Sequence, residues 1–425
     1  MMADVLGGNG TGLADIESVC LDDVKINSVF IESDGRVSPF LIEGCAPGTG
    51  DLTLIVKKDG TEICRKAVRL ELHDISWFYD IWLAQILSGE RWEVQVNTSA
   101  AHSQTASYQP KTDERLLFVH GWNMQDWEKR RWTETVFKRL WWQGYQGSVA
   151  LFDWPTLYGF DGSDWWTVAT NLRHFDNSEY ISWLSSDALS GVFNTLNADG
   201  KLSVLAHSMG NVVTAEALRK YSGPQIKAYI ATQAALSAQY YDAGIAPNQP
   251  ALYLGSPDTP DVMGCFPVAE GETSPYCFGY LSCVEARYNY HNAGDWALDK
   301  WAWNNRFKPD GGVPYNFMYS GSLTNYTEGA DEFYRQAIPY VSVHETQSVT
   351  NEIGRHRIFA YCAESRSCAL GQSTNAVAGF TGWDLKSNMG YDKQHYSHSR
   401  QFRSNAAAEN LYWKQVMLNC GFANP

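Results

Sequence analysis

No apolar run in this chain approaches the roughly 20 residues a helix needs to cross a bilayer. No run of Lys or Arg is longer than the three residues Lys129 to Arg131, and the net charge is −14. An acidic field of that size repels phosphate backbones and anionic surfaces, so no nucleic-acid partner is expected. Met1 to Gly10 has neither the basic start nor the apolar core of a signal peptide. No C-x-x-C pair occurs, which removes the usual framework of a structural zinc site. No internal repeat is visible, which argues against solenoid and propeller architectures.

What is present is apolar content sufficient for a large core: 44% hydrophobic and 19% charged residues over 425 positions. That length predicts two or three folding units. Nine of the 17 tryptophans lie between Trp122 and Trp183. They fit a heavily packed core, or an aromatic cleft for an apolar substrate. Nine cysteines occur, with Cys265, Cys277 and Cys283 close together, Cys362 near Cys368, and Cys45 and Cys64 flanking a hairpin. Disulfides are the expectation, and with them a secreted or periplasmic location. The odd count leaves at least one thiol unpaired within the chain.

Residues 17 to 96 read as short strands. Val24 to Ile31, Leu52 to Lys57 and Ala67 to Leu72 are β-branched or alternating, and Lys58-Asp59-Gly60-Thr61 is a hairpin signal. A small, sandwich-like antiparallel β-domain over residues 1–112, including a Ser- and Thr-rich linker from Asn97 to Asp113, is therefore expected. From residue 113 the texture becomes strands alternating with amphipathic helices, the pattern of a mostly parallel α/β sheet. Strands are expected at Leu116 to Val119, Ser148 to Phe152, Leu202 to Leu205, Ile226 to Ile230, Glu285 to Tyr290 and Arg357 to Tyr361. Helices are expected from a cap at Asp126 to Gly144, through Ile181 to Leu196, and from Met209 to Tyr221. Two long insertions, about 238–283 and 308–352, read as lids or binding walls.

The strongest local signal is Leu202 to Val213, where a strand runs through Ala206-His207-Ser208-Met209-Gly210 straight into a helix. This is the pattern of a nucleophile elbow, a tight turn that lifts the Ser208 hydroxyl above the sheet. Ala206 and Gly210 keep side chains out of the way where strand and helix backbones pass closely. The helix start below Ser208 adds partial positive charge where an oxyanion would form. His120-Gly121-Trp122 follows an earlier strand, in the position of an oxyanion loop. The backbone amides of Trp122 and Met209 are the candidate oxyanion-hole donors, with Gly121 letting the loop bend and His120 bracing it.

Phe118-Val119-His120-Gly121-Trp122, Phe152-Asp153-Trp154-Pro155 and Leu205 to Asn211 together resemble the α/β-hydrolase superfamily, in a bacterial lipase- or esterase-like branch of largely unassigned function. The resemblance covers roughly residues 113–425. It implies a chain order of nucleophile, acid and then histidine. Asp295, in His291-Asn292-Ala293-Gly294-Asp295 after a late strand, is the implied acid, with Asp299 one turn on as the alternative. Asp242 and Asp261 come too early. His398 is the implied base, with His395 as the alternative, while His344 and His356 precede the last strand. The implied activity is an esterase or lipase working through an acyl-enzyme on Ser208, on a small-molecule, lipid or polyester-type ester. A peptidase or amidase would use the same triad, and a binding protein could keep the fold without turnover. No metal or organic cofactor is implied.

Overall fold

A computed structural model describes residues 47–88, 95–156, 184–236, 282–295, 379–392, 395–404 and 408–422. It also describes short pieces at 178, 181–182, 241, 297–298 and 369–372. The expected strand at Val24 to Ile31, the tryptophan-rich stretch beyond 156, nearly all of the two insertions and the strand expected at Arg357 to Tyr361 lie outside these residues.

Among the described residues, the centre is an eight-stranded sheet in the order β12-β11-β10-β9-β7-β8-β3-β6. Its strands are β3 (Tyr79–Leu83), β6 (Ala101–Gln104), β7 (Arg115–Val119), β8 (Ser148–Asp153), β9 (Leu202–His207), β10 (Ile226–Thr232), β11 (Val284–His291) and β12 (Thr381–Asp384). All neighbours pair in parallel except β6, which closes one edge antiparallel to β3. The middle strands are mostly apolar because both faces are covered; β9 is buried at every position. On one face, Leu116, Phe118, Leu205 and Ile230 pack under helix α1 (Asp126–Trp142) and helix α6 (Ala408–Asn419), with Trp132, Phe137, Tyr412 and Trp413 in the same cluster. Helices α2 (Ser186–Leu196) and α3 (Gly210–Lys220) pack against each other. Two short helices, α4 (Leu385–Met389) and α5 (Arg400–Arg403), complete the C-terminal part.

One expectation is corrected. The sheet does not begin after residue 112: β3 pairs with β8 from Tyr79, and part of the expected linker is strand β6. The division at 112/113 therefore cuts through the sheet. Beside β11 lies Thr381–Asp384, a strand not anticipated from the sequence. Before the sheet, the described part of the expected β-domain is one hairpin, β1 (Gly48–Lys58) with β2 (Thr61–Leu72). Its turn has positive φ at Asp59 and Gly60 (50° and 80°), as the Asp-Gly pair requires. A second small pair joins β4 (Ile86–Ser88) to β5 (Gln95–Val96).

Helix starts and stops follow local chemistry. Helix α1 begins one residue earlier than a cap at Asp126 implies: Gln125 is the cap, and its N–H donates to the Glu128 carboxylate at 3.1 Å. The helix ends before Gly144, whose φ of 95° no side-chain-bearing residue adopts without strain. Among the described residues, Cys64 and Cys420 are free thiols, and Cys283 Sγ donates to the Leu218 carbonyl at 3.6 Å. The other cysteines of the disulfide expectation lie outside the described residues.

The chain turns from β7 to β8 on one side and to β9 on the other, so the crevice at the carboxyl ends of β7 and β9 is the topological switch point. Ligands of open α/β sheets bind at such a point. His120 leaves one of these strands and Ser208 the other.

Candidate active site

Ser208 sits between β9 and α3 with φ of 52°. A left-handed conformation at a residue with a β-carbon costs on the order of 1–3 kcal/mol and persists only where the surroundings hold it. Here they do. Ser208 N–H donates to the Thr232 carbonyl at 3.1 Å, and its own carbonyl accepts from the amides of Asn211 and Ala235, each at 3.1 Å. The buried Asn211 side chain adds a staple: Nδ2 donates to the carbonyls of Ala206 (3.1 Å) and Ser208 (2.9 Å), while Oδ1 accepts from Tyr229 Oη at 2.7 Å. Among the described residues, Ser208 Oγ makes no hydrogen bond to protein. Catalytic contacts are often loose before substrate binds.

The two glycines act through close approach. A β-carbon at Gly210 would lie 2.5 Å from the His120 carbonyl oxygen and 2.6 Å from that of Val119. The start of α3 thus rests directly on the end of β7. A β-carbon at Gly121 would lie 2.9 Å from His207 Nδ1 and 3.0 Å from Ser208 Cβ. Gly121 is therefore needed for space. The left-handed residue of this loop is Asn123, with φ of 59°. Met209, the other expected donor, caps α3; first-turn amides of a helix have no partner within it.

His120 is fully buried. Its Nδ1–H donates to the Gly121 carbonyl at 2.8 Å, and Nε2 accepts from the Trp154 amide at 3.2 Å. The Trp154 indole stacks on the ring and donates to the His120 carbonyl at 2.8 Å. Burial lowers the His120 pKa below its ordinary value, which favours this neutral tautomer. The ring braces the loop. Beneath it Lys129 Nζ meets Asp153 at 2.7 Å. Burial works to raise the Asp153 carboxyl, but it stays below its usual range, helped by the charge of Lys129.

Asp295 and His398 are brought together from 103 residues apart. His398 Nδ1–H donates to both carboxylate oxygens, at 2.9 and 3.0 Å. That leaves Nε2 as the acceptor nitrogen, the tautomer a general base requires. Asp295 is fully buried yet well supplied with donors: Ala297 N–H at 3.0 Å, Leu298 N–H at 3.3 Å and Gln233 Nε2 at 2.6 Å. Its turn is shaped by Asn292, whose side-chain oxygen accepts from Gly294 N–H and whose Nδ2 donates to the Asp392 carbonyl, both at 3.1 Å. The alternative acid, Asp299, lies outside the described residues. His395 shares the 3₁₀ turn His395–Ser399 with His398, and only its backbone is described.

The histidine turn is tied to the elbow through a residue that sequence reasoning gave no role. His207, immediately before Ser208, donates from Nε2 to the His398 carbonyl at 2.7 Å, and the two rings lie 4.9 Å apart between centroids. Burial drives the His207 pKa well below its ordinary value, so the ring stays neutral. Asn211 and Gln233 were missed as well. Asn211 sits one residue past the elbow and could have been read from its position; Gln233 lies in an apolar strand exit with no local signal.

Residues 98–249 match a family described as an alpha/beta hydrolase of unknown function (DUF900). Among solved structures, a hormone-sensitive lipase from a metagenome library aligns over 80% of this chain and 85% of that one, at 9% identity and a TM-score of 0.27. No curated protein matches the chain. The eight-stranded sheet, the serine at its elbow and the family matched over residues 98–249 agree, and the chain has the α/β-hydrolase fold.

Proposed function

We propose that this protein is a serine hydrolase that cleaves carboxylic esters, with Ser208 as nucleophile, His398 as general base and Asp295 as the acid that orients it. The observation that carries this reading is the strained Ser208 at a strand-to-helix turn, next to a residue that grips the turn of an Asp-paired histidine. In this mechanism Ser208 Oγ attacks the ester carbonyl as His398 Nε2 takes its proton. The oxyanion that forms is held by the amides of Trp122 and Met209. His398 then returns the proton to the departing alcohol. Water, deprotonated by the same nitrogen, attacks the acyl-Ser208 ester, releasing the acid and the free serine. The buried carboxylate of Asp295 stabilises the imidazolium at both stages without taking the proton itself.

A fluorophosphonate probe followed by peptide mapping tests the reading directly. The expected result is a single label on Ser208, absent from Ser208→Ala protein. Labelling of any other serine, or none, overturns it. Turnover of p-nitrophenyl esters in preference to peptide anilides is the expected result for an esterase; the reverse makes the protein an amidase on the same residues.

A further inference from the structure

We propose that Gln233 is a positioning residue of this site, a two-handed amide that holds the acid and the histidine turn in register. The inference rests on the triad reading above. Gln233 is the first residue after β10, fully buried, with φ of 44°. Its Nε2 has two hydrogens, and both are used: one goes to Asp295 Oδ2 at 2.6 Å, the other to the Ser397 carbonyl at 2.9 Å. Asp295 belongs to the loop after β11 and Ser397 directly precedes His398. One nitrogen therefore fixes the two halves of the acid–base pair against the end of a central strand.

The orientation of the amide follows from its neighbours. Rotating it by half a turn would aim Oε1 at a carboxylate oxygen and a carbonyl oxygen, two acceptors. Among the described residues Oε1 has no hydrogen-bond partner, a cost carried to point the donor at the site. The backbone is built around the residue. Gln233 N–H donates to the Tyr290 carbonyl at 2.8 Å. A β-carbon at Gly371 would lie 2.4 Å from Gln233 C and 2.6 Å from its Cα, so only glycine lets that segment lie against the strand exit. Gly371 in turn donates to the Ala234 carbonyl and accepts from Asn292 N–H, which ties the strand exit to the turn that presents Asp295.

Together with His207, which holds the next carbonyl along, Gln233 leaves the His398 turn little freedom. Among the described residues, His207 and Asp392 are ionisable groups near the pair; the Asp392 carboxylate accepts from Ser397 Oγ at 2.8 Å. Neither touches the Asp295 carboxylate among the described residues.

The test compares wild type with Gln233→Leu, which keeps bulk and loses the donors. The readouts are steady-state hydrolysis of p-nitrophenyl butyrate and the pH dependence of fluorophosphonate labelling. A misaligned pair stabilises the imidazolium less, so kcat should fall about 10- to 100-fold with KM little changed, and the pKa that governs labelling should fall. Gln233→Glu keeps the shape and presents an oxygen to both acceptors; it should lose at least as much at pH 8, and it serves if the leucine variant does not fold. A folded variant that labels at the wild-type rate overturns the inference. So does an unmoved or raised pKa, which would make Gln233 structural filling or an electrostatic donor alone. Failure of the triad reading is separate: there the wild-type protein is not labelled at Ser208.

Discussion

The carboxyl end of the central sheet and the β1–β2 hairpin are both built from strands, yet they are held in opposite ways. At the sheet end the polar side chains that hold the site are buried and multiply bonded: Asn211 to two carbonyls, Gln233 to two acceptors, Asp295 to three donors and a histidine. Along the hairpin almost every described position faces outward, including Ile63 and Val68, and the ion pairs Arg65–Glu62 and Arg69–Asp51 are exposed. Exposed pairs contribute about 1 kcal/mol or less each. The sheet end is stiff because leaving any one group unpaired in the interior is costly. The hairpin tolerates change because water satisfies whatever it loses. Chemistry that needs a serine and an imidazole fixed relative to each other can be supported only at the first.

Four predictions sharpen that contrast, from the largest effect down. Ser208→Ala should lower kcat by roughly 10⁶-fold and Asp295→Asn by roughly 10⁴-fold, measured by ester hydrolysis; equal losses would mean that the acid does more than orient the base. Gly210→Ala should cost about 3 kcal/mol in chemical denaturation, because its β-carbon would press on the end of β7. The third concerns acid. His120, His207 and His291 all have pKa values lowered by burial from the ordinary 6.5, so below that pH the unfolded chain binds protons that the folded one refuses. Stability should therefore drop as pH falls from 6.5, by up to about 1.4 kcal/mol per unit for each histidine; His207→Asn should flatten the slope seen in urea titrations between pH 7 and 5. Smallest of all, Ile63→Thr and Val68→Thr in the hairpin should shift stability by no more than about 0.5 kcal/mol and leave kcat unchanged. A drop in turnover from either would break the comparison.

The two regions also differ in how far they could be read from sequence. The hairpin was legible because its cause is local: Asp59-Gly60 alone dictates the turn and thereby the register. Ser208 was legible for the same reason, since strand, small residues and helix lie within a dozen positions. The sheet's outer strands were not. Tyr79–Leu83 looks like one more strand of a β-domain until β8, some 70 residues on, pairs with it, and Thr381–Asp384, with its glycine and aspartate, has little strand character of its own. Gln233 was hidden because its worth lies in partners 62 and 164 positions away; no window along the chain contains them.

The placement of α6 has a consequence for biosynthesis. Tyr412 and Trp413 fill the core beside the central strands, Tyr412 Oη donates to Thr232 Oγ1 at 3.1 Å, and His398, the proposed base, comes only ten residues before that helix. On the proposed mechanism, a nascent chain emerging from the ribosome presents Ser208 long before the base assigned to it, with an oily sheet face still uncovered. Such a chain would be inert during translation, and that half-finished sheet is the species a chaperone would hold.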